Sequence, residues 1–349
     1  MRIYFAPMEG ITTYTYRNLH WKYFGGADAY FTPFLSPGPG QGMSVKELRD
    51  ILPENNQGTP VIPQLLTNRA EDFVSAAGRL ADYGYREINF NLGCPSGTVT
   101  AKKKGSGFLG EPEALDRFFD RVFSDPLIVR EGLLVSVKTR IGLESPEEWP
   151  RLLEIYNRYP LKELIIHPRV RKDFYKNHPD WDAFRLALSE SKNPLVYNGD
   201  LFSEEAYFRF REEFPKVDTV MLGRGLIQDP ALAKRLSEIE KSGEWGKREE
   251  LRQESGHQER GHQESGYQES GRPADRMFGR LRAFHDELLL SYREQMSGDR
   301  NVLFKMKEIW SYLLLSFPEK KKAGKRLMKA VRMEDYLAAV NEILDGSDG

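Results

Sequence analysis

Eight short runs rich in β-branched and aromatic residues recur in the first two-thirds of the chain, and their number and spacing constrain the fold more than any other feature. They read RIYFA (2–6), DAYFT (28–32), VIPQL (61–65), REINF (86–90), LLVSVK (133–138), ELIIH (163–167), PLVYN (194–198) and DTVML (218–222). Stretches with apolar residues at helical spacing lie between them, such as AEDFVSAAGRLADYG (70–84) and PEALDRFFDRVF (112–123). Eight strands, each followed by room for a helix, within ~235 residues have the rhythm of a TIM (β/α)8 barrel. A doubly wound open sheet is the alternative. It does not need eight strands, and it calls for a Gly-rich dinucleotide turn after the first strand, where this chain has APMEG. The expected fold class is therefore α/β, a barrel followed by a small C-terminal helical domain.

The composition changes abruptly after the barrel. Residues 253–272 repeat a five-residue unit, QESGH QERGH QESGY QESGR, with no aliphatic residue. Such a segment has no apolar surface to offset the entropy cost of ordering, so 241–274 is expected to be a low-complexity linker or insert. His257 and His262 within it lack a metal-ligand spacing, and no metal site is expected. From 275 to 349 the sequence reads as helical, with apolar stripes in MFGRLRAFHDELLLSYREQM, NVLFKMKEIWSYLLLSF and RMEDYLAAVNEIL. The expected organisation is a catalytic barrel over 1–240, the linker over 241–274 and a helical domain over 275–349.

Charge and cysteine narrow the classes further. The 349 residues carry a formal net charge of −1, so the whole chain does not advertise a nucleic-acid partner. A local excess does exist: between Arg300 and Arg332 there are ten lysines and arginines against two acids, Glu308 and Glu319. That is either a solvated helical face or a patch for a phosphate backbone. The single cysteine, Cys94, excludes an internal disulfide. No apolar run reaches the ~18 residues of a membrane span, and the start MRIYFAPMEG has no apolar core of useful length, so a soluble cytoplasmic protein is expected.

In a barrel of this type the reactive face forms where strands end. The first strand is followed by Pro7, Met8 and Glu9. The third carries Gln64, and the fourth gives Asn91 and then Cys94. The fifth ends in Lys138, Thr139 and Arg140, the sixth in His167 and then Arg169. The seventh ends in Asn198, Gly199 and Asp200, and the eighth in Gly223, Arg224 and Gly225. The last two loops are the usual phosphate site of such barrels, and their glycines let backbone N–H groups approach an anion. Asp229-Pro230 reads as an N-cap with proline at the first helical position. Joined to Gln64, Lys138 and His167, these loops outline a site for a phosphorylated planar cofactor, with Lys138 placed to stabilise the anionic edge of a reduced flavin.

Cys94 stands in a Gly-Cys-Pro turn, where it is no regular strand or helix position. A lone thiol is often an inert buried group. Beside a cofactor face, with Lys102, Lys103 and Lys104 in the same loop, it can also serve as acid, base or nucleophile.

These stretches resemble the flavin-dependent tRNA-dihydrouridine synthases. The carrying segment is INFNLGCPSGTVTAKKKGSG (88–107). APMEGITTYTYRNL at the start, VKTR (137–140), NGD (198–200), LGRG (222–225) and the following DPALA match in order, and KMKEIWSYL extends the likeness loosely into the helical region. The resemblance implies a TIM barrel holding FMN, NADPH as electron donor, and a helical domain that helps hold tRNA. No membrane and no stable protein partner are implied.

Carried over by residue, Pro7, Met8, Glu9 and Gln64 would meet the isoalloxazine, and Lys138 and His167 the ring or ribityl chain. Asn198, Gly199, Asp200, Gly223 and Arg224 would hold the phosphate end. Asn91, Arg140 and Arg169 would contact the substrate, and Cys94 would protonate carbon 5 of a uracil whose carbon 6 receives hydride. The family usually has His-Gly-Arg after the sixth strand, whereas this chain has His167-Pro168-Arg169, a stiffer turn. Two rivals stand beside this reading. One is another FMN barrel acting on a free pyrimidine or enone, which has no need of a basic helical appendage. The other is a non-catalytic RNA-binding barrel, which has no need of Cys94, Lys138 and Gln64.

Overall fold

The computed structural model describes residues 1–38, 43–243 and 273–345, with side chains of the last segment from 278 onward. The repeats at 253–272 and most of the expected linker lie outside the described residues. Contacts divide the chain into two compact units. The first comprises Met1–Tyr14, Ala27–Leu201 and Arg209–Gly223, and the second comprises Thr15–Gly26, Phe202–Phe208 and the chain from Arg224 onward.

The first unit is built on parallel strands: β1 Arg2–Phe5, β2 Ala29–Phe31, β3 Val61–Ile62, β4 Gln64–Leu65, β5 Glu87–Leu92, β6 Leu134–Arg140, β7 Leu164–His167, β8 Leu195–Tyr197 and β9 Thr219–Leu222. All eight expected strands are present. The third is split in two because Pro63 has no N–H to give the ladder. The sheet order runs β3-β2-β1-β9-β8-β7-β6-β5-β4, so its two ends are halves of one interrupted strand and the sheet returns upon itself. Thr32 N–H donates to Ile62 O at 3.0 Å, Leu35 N–H to Gln64 O at 2.8 Å and Asn89 N–H to Pro63 O at 2.9 Å across that seam. This is the TIM-type barrel, with helices such as Ala70–Asp82, Pro112–Phe123 and Trp181–Glu190 between the strands.

Alternation along the strands assigns every side chain to one of two faces. In β5, Ile88, Phe90 and Leu92 face the helices; Phe90 stacks on Phe118 with centroids 4.6 Å apart and meets Phe73 edge-on at 5.5 Å. Asn89 and Asn91 therefore face into the barrel. The interior is divided in character. One part is apolar, formed by Tyr4, Ala6, Ala29, Phe31, Ile165, Val196 and Met221. The other is polar, because Gln64, Asn89 and Ser136 are register neighbours on β4, β5 and β6, with Asn91 and Lys138 paired two residues further along.

The second unit is helical. It includes Tyr14–Tyr23 from its second residue onward, together with Leu232–Ser242, Pro273–Gln295, Asp299–Leu313, Lys321–Lys329 and Met333–Leu344. Phe284 packs edge-on against Tyr16 at 5.4 Å and Phe24 at 5.3 Å. Buried His285 and Trp310 both hydrogen-bond the Tyr336 hydroxyl, at 2.7 and 2.9 Å, tying three helices together. The helix expected to begin at Asp229-Pro230 starts instead at Leu232. Asp229 accepts from the N–H of Ala231 at 3.2 Å and pairs with Arg235 at 2.5 Å, so its carboxylate is drawn to a cation six residues on and the residues directly after it form a turn. Among the described residues no helix is long and apolar enough to cross a membrane, and no group of three or more potential metal ligands occurs.

Candidate active site

The carboxyl ends of the strands in the first unit bring the expected side chains to one rim, and Cys94 is held there by its backbone. Asn91, the fifth residue of β5, turns its Oδ1 onto the N–H groups of Gly93 at 3.1 Å and Cys94 at 2.9 Å. The loop then folds back on itself. Ser106 donates its N–H at 3.1 Å and its hydroxyl at 2.8 Å to Cys94 O. Gly105 allows this approach: its φ is +57°, and a Cβ there would lie 3.0 Å from Cys94 O and 3.1 Å from Cys94 Cβ. The Gly-Ser pair ten residues beyond Pro95 is thus the second half of the cysteine's cradle. Of the three lysines in this loop, Lys103 pairs with Glu111 at 2.5 Å.

The thiol is half-buried, and burial pushes its pKa up; Glu9 adds to the rise, while the Ser96 backbone, Arg140 and Lys138 oppose it. It therefore keeps its proton at neutral pH. Lys138 moves the other way. Burial and the neighbouring Arg140 push its pKa down to about 7, and no described residue hydrogen-bonds or ion-pairs with its amine. A half-buried amine without a protein anion suits an anionic or electron-rich ligand edge, the role the sequence suggests for a flavin.

Gln64 is fully buried. Its Oε1 accepts from Asn91 Nδ2 at 2.7 Å and its Nε2 donates to Asn89 Oδ1 at 2.7 Å, leaving one Nε2 proton without a described partner. Arg140 and His167 are register neighbours on β6 and β7. The guanidinium of Arg140 is committed to loop carbonyls: Gly93 at 3.0 Å, Val170 at 2.9 Å and Phe174 at 2.9 Å. It joins the cysteine loop to the loop after β7. In that loop Arg169 N–H returns to His167 O at 2.7 Å, a tight turn centred on Pro168. The Arg169 side chain is buried. It donates to His167 Nε2 at 2.9 Å and takes both oxygens of Asp200. Arginine only donates, so Nε2 of His167 is unprotonated and the ring proton sits on Nδ1.

The first-strand loop is organised by Thr12, whose hydroxyl accepts from Met8 N–H at 2.8 Å. Glu9 is half exposed, 3.8 Å from Lys46. Asn198 donates its amide to Met221 O at 2.7 Å, bracing β8 on β9. Gly199 has a packing reason to lack a side chain, since a Cβ would fall 2.0 Å from the Tyr197 hydroxyl. At Gly223 an added Cβ would stand 3.3 Å from Ala6 Cβ and 3.6 Å from Met8 Sδ, so the glycine keeps this contact free of a side chain. In the second unit Arg224 opens a five-residue helix and lies over the Phe202 ring at 5.0 Å. Sequence reading missed Asn89, Ser136, Glu87 and Ser106. The first three were signalled by the two-residue alternation that ends in Asn91 and Lys138.

Residues 4–301 match the family described as dihydrouridine synthase (Dus). The chain belongs to that family. It is 28% identical over 231 residues, 64% of this chain and 68% of the relative, to a probable tRNA-dihydrouridine synthase of Staphylococcus epidermidis. It is 27% identical over 231 residues, 64% of this chain and 69% of the relative, to probable tRNA-dihydrouridine synthase 2 of Bacillus subtilis. Among solved structures, histamine dehydrogenase from Rhizobium sp. 4-9 matches at TM-score 0.51 and 14% identity over 68% of this chain and 45% of that one, a likeness of fold. The dihydrouridine synthase family match covers the second half of β1, all of β2 to β9 and every rim residue described above.

Proposed function

We propose that the chain reduces uridines of tRNA to 5,6-dihydrouridine, with Cys94 as the acid that protonates carbon 5. The names of the curated relatives support tRNA as the substrate. The observation that carries the chemical role is the Cys94 turn, its backbone N–H held on the barrel rim by Asn91 beside Lys138 and Arg140. Bound FMN supplies the hydride for carbon 6, and NADPH is its source of electrons. The residues present suit such a cofactor: Lys138 is an amine with no anionic partner among the described residues, Gln64 keeps an amide proton with no described partner, and Gly223 lacks a side chain that would crowd Ala6 and Met8. Pro7, Met8, Glu9, Gln64, Lys138 and His167 are proposed to hold the ring and ribityl chain, and Asn198, Gly199 and Gly223 the phosphate end; for Asp200 and Arg224 the phosphate role rests on the resemblance alone.

Transfer of the Sγ proton to carbon 5 leaves the S–H electron pair on sulfur. The nearby charges of Lys138 and Arg140, both of which favour the thiolate, stabilise that product. Asn91 retains one Nδ2 proton to orient the uracil, while Arg140 and Arg169 set the loops that border it. General-acid assistance of this kind is worth ~10²–10⁴ in rate. In the helical unit, Lys321, Lys322, Lys325, Arg326, Lys329 and Arg332 are exposed while Ala323 and Leu327 are buried, which supports a role in binding the phosphate backbone.

The test is Cys94→Ala. It is expected to retain FMN, be reduced by NADPH and bind tRNA, but to lose reoxidation by unmodified tRNA by a factor on the order of 10² in single turnover. Cys94→Ser recovers little, because a hydroxyl is a far weaker acid than a thiol of pKa ~8.5. Near wild-type rates in both variants would place the acid elsewhere.

A further inference from the structure

Below the rim, the polar part of the barrel interior holds a hydrogen-bonded ladder that ends at the cysteine. Glu87, the first residue of β5, pairs with Lys162 through one oxygen and accepts the Ser136 hydroxyl at 2.7 Å through the other. A carboxylate so paired only accepts, so Ser136 spends its single proton there. The Ser136 oxygen then accepts from Asn89 Nδ2 at 2.9 Å. Asn89 Oδ1 accepts from Gln64 Nε2 at 2.7 Å, and Gln64 Oε1 accepts from Asn91 Nδ2 at 2.7 Å. Asn91 Oδ1 is thereby left to receive the N–H groups of Gly93 and Cys94. Every amide in the ladder has one permitted orientation, set by a carboxylate at one end and backbone donors at the other. Reversing any member would face donor with donor or oxygen with oxygen in a buried site.

We propose that Ser136, Asn89 and Glu87 are positioning residues for Cys94, acting through Gln64 and Asn91 from the far end of β5. Glu87 lies four residues below Asn91, about 13 Å along the strand. The assignment rests on the reading of Cys94 as the acid. It adds that the orientation of the cysteine turn is held by residues that touch neither the thiol nor the mouth of the site. Without the hydroxyl of Ser136, Asn89 Nδ2 loses its acceptor, Asn89 and then Gln64 can turn over, and Asn91 meets an amide donor instead of an oxygen. Asn91 rotates and frees the Cys94 turn.

Cys94 is the only cysteine of the chain, so thiol alkylation reports on it alone. The charged groups facing it are Glu9 from the first-strand loop and Lys138 and Arg140 from β6. The experiment is the pH profile of iodoacetamide alkylation of the flavin-loaded full chain, for wild type, Ser136→Ala, Ser136→Thr, Glu87→Gln and Val137→Ala. Ser136→Ala is expected to alkylate roughly 3- to 10-fold faster at neutral pH, the scale of one lost hydrogen bond, and to lower the single-turnover rate with unchanged KM for tRNA. Ser136→Thr keeps the hydroxyl and is expected to follow wild type. Val137→Ala loses packing on the helix-facing side and is expected to lower thermal stability without moving the profile.

Should Ser136→Ala fail to fold, Glu87→Gln decides the matter: its amide can donate to Ser136 and permit the reversed ladder, so its profile is expected to shift in the same direction. Profiles equal to wild type in the folded variants would overturn the proposal, as would an equal shift in Val137→Ala. The alkylation result stands apart from the chemistry. If Cys94→Ala proves fully active, the acid assignment fails while the ladder is still judged by the profiles.

Discussion

Gly105 and Cys94 are in contact through the one backbone conformation that leaves no room for a side chain. Gly105 has φ of +57°, and a Cβ there would stand 3.0 Å from the Cys94 carbonyl oxygen and 3.1 Å from Cys94 Cβ. Gly105→Ala therefore incurs both left-handed strain of about 1 kcal/mol and a clash against backbone. The loop yields before the barrel does. The expected outcome is a folded, flavin-binding protein whose tRNA reduction falls by at least about tenfold, the effect of a small displacement of the acid. Steady-state kinetics beside flavin absorbance check it, and an unchanged kcat would separate the loop from the chemistry.

Lys138 makes a stability prediction with a definite sign. Its folded pKa lies near 7, below the ordinary lysine value of ~10.4. Between those values the folded protein binds fewer protons than the unfolded chain, so stability rises with pH across that window. Below about 7 both states hold the proton, and the full cost of the half-buried charge is present. Lys138→Met is thus expected to raise the Tm of the flavin-free protein by about 2 °C or more at pH 6. The gain shrinks as pH approaches ~10.4. Scanning calorimetry across pH measures this; a gain that grows with pH would reverse the assignment.

Arg169 is buried and hydrogen-bonded by both oxygens of Asp200. Asp200→Asn keeps one acceptor and removes the compensating charge. The Asp200 side chain retains some solvent contact, which moderates the loss to about 1–2 kcal/mol. Urea unfolding should show an earlier midpoint at unchanged slope, and an unchanged midpoint would show that water replaces the carboxylate.

The exposed face of the helix Lys321–Lys329 can be tested by charge reversal. Lys321→Glu, Lys322→Glu and Lys325→Glu together leave the buried Ala323 and Leu327 in place, so folding and flavin content are expected to hold. Binding of tRNA should weaken, with a salt slope shallower by about 2–3. An unchanged slope would mean that this face is solvated surface and the phosphate contacts lie elsewhere.

Much of this architecture is local information. Period-two runs set the strands, and the same alternation puts Asn89, Asn91, Ser136 and Lys138 on the inner face of β5 and β6. Pro63 divides the third barrel strand because it lacks a proton, a fact carried by one residue. A lone cysteine in a Gly-Cys-Pro turn beside a strand end marks itself. What the chain could not state locally is which groups are already spent. Arg140 reads as a free cation at a strand end, yet its N–H groups go to Gly93, Val170 and Phe174, the last two 30 and 34 residues away. Asp200 reads as part of a ligand loop and is the partner of Arg169, 31 residues earlier. The residues Thr15–Gly26 follow the first strand in sequence and cluster with the C-terminal helices. Periodicity is a property of neighbours along the chain. Hydrogen-bond partners and packing surfaces are properties of neighbours in space, and only the closed barrel decides which side chains meet.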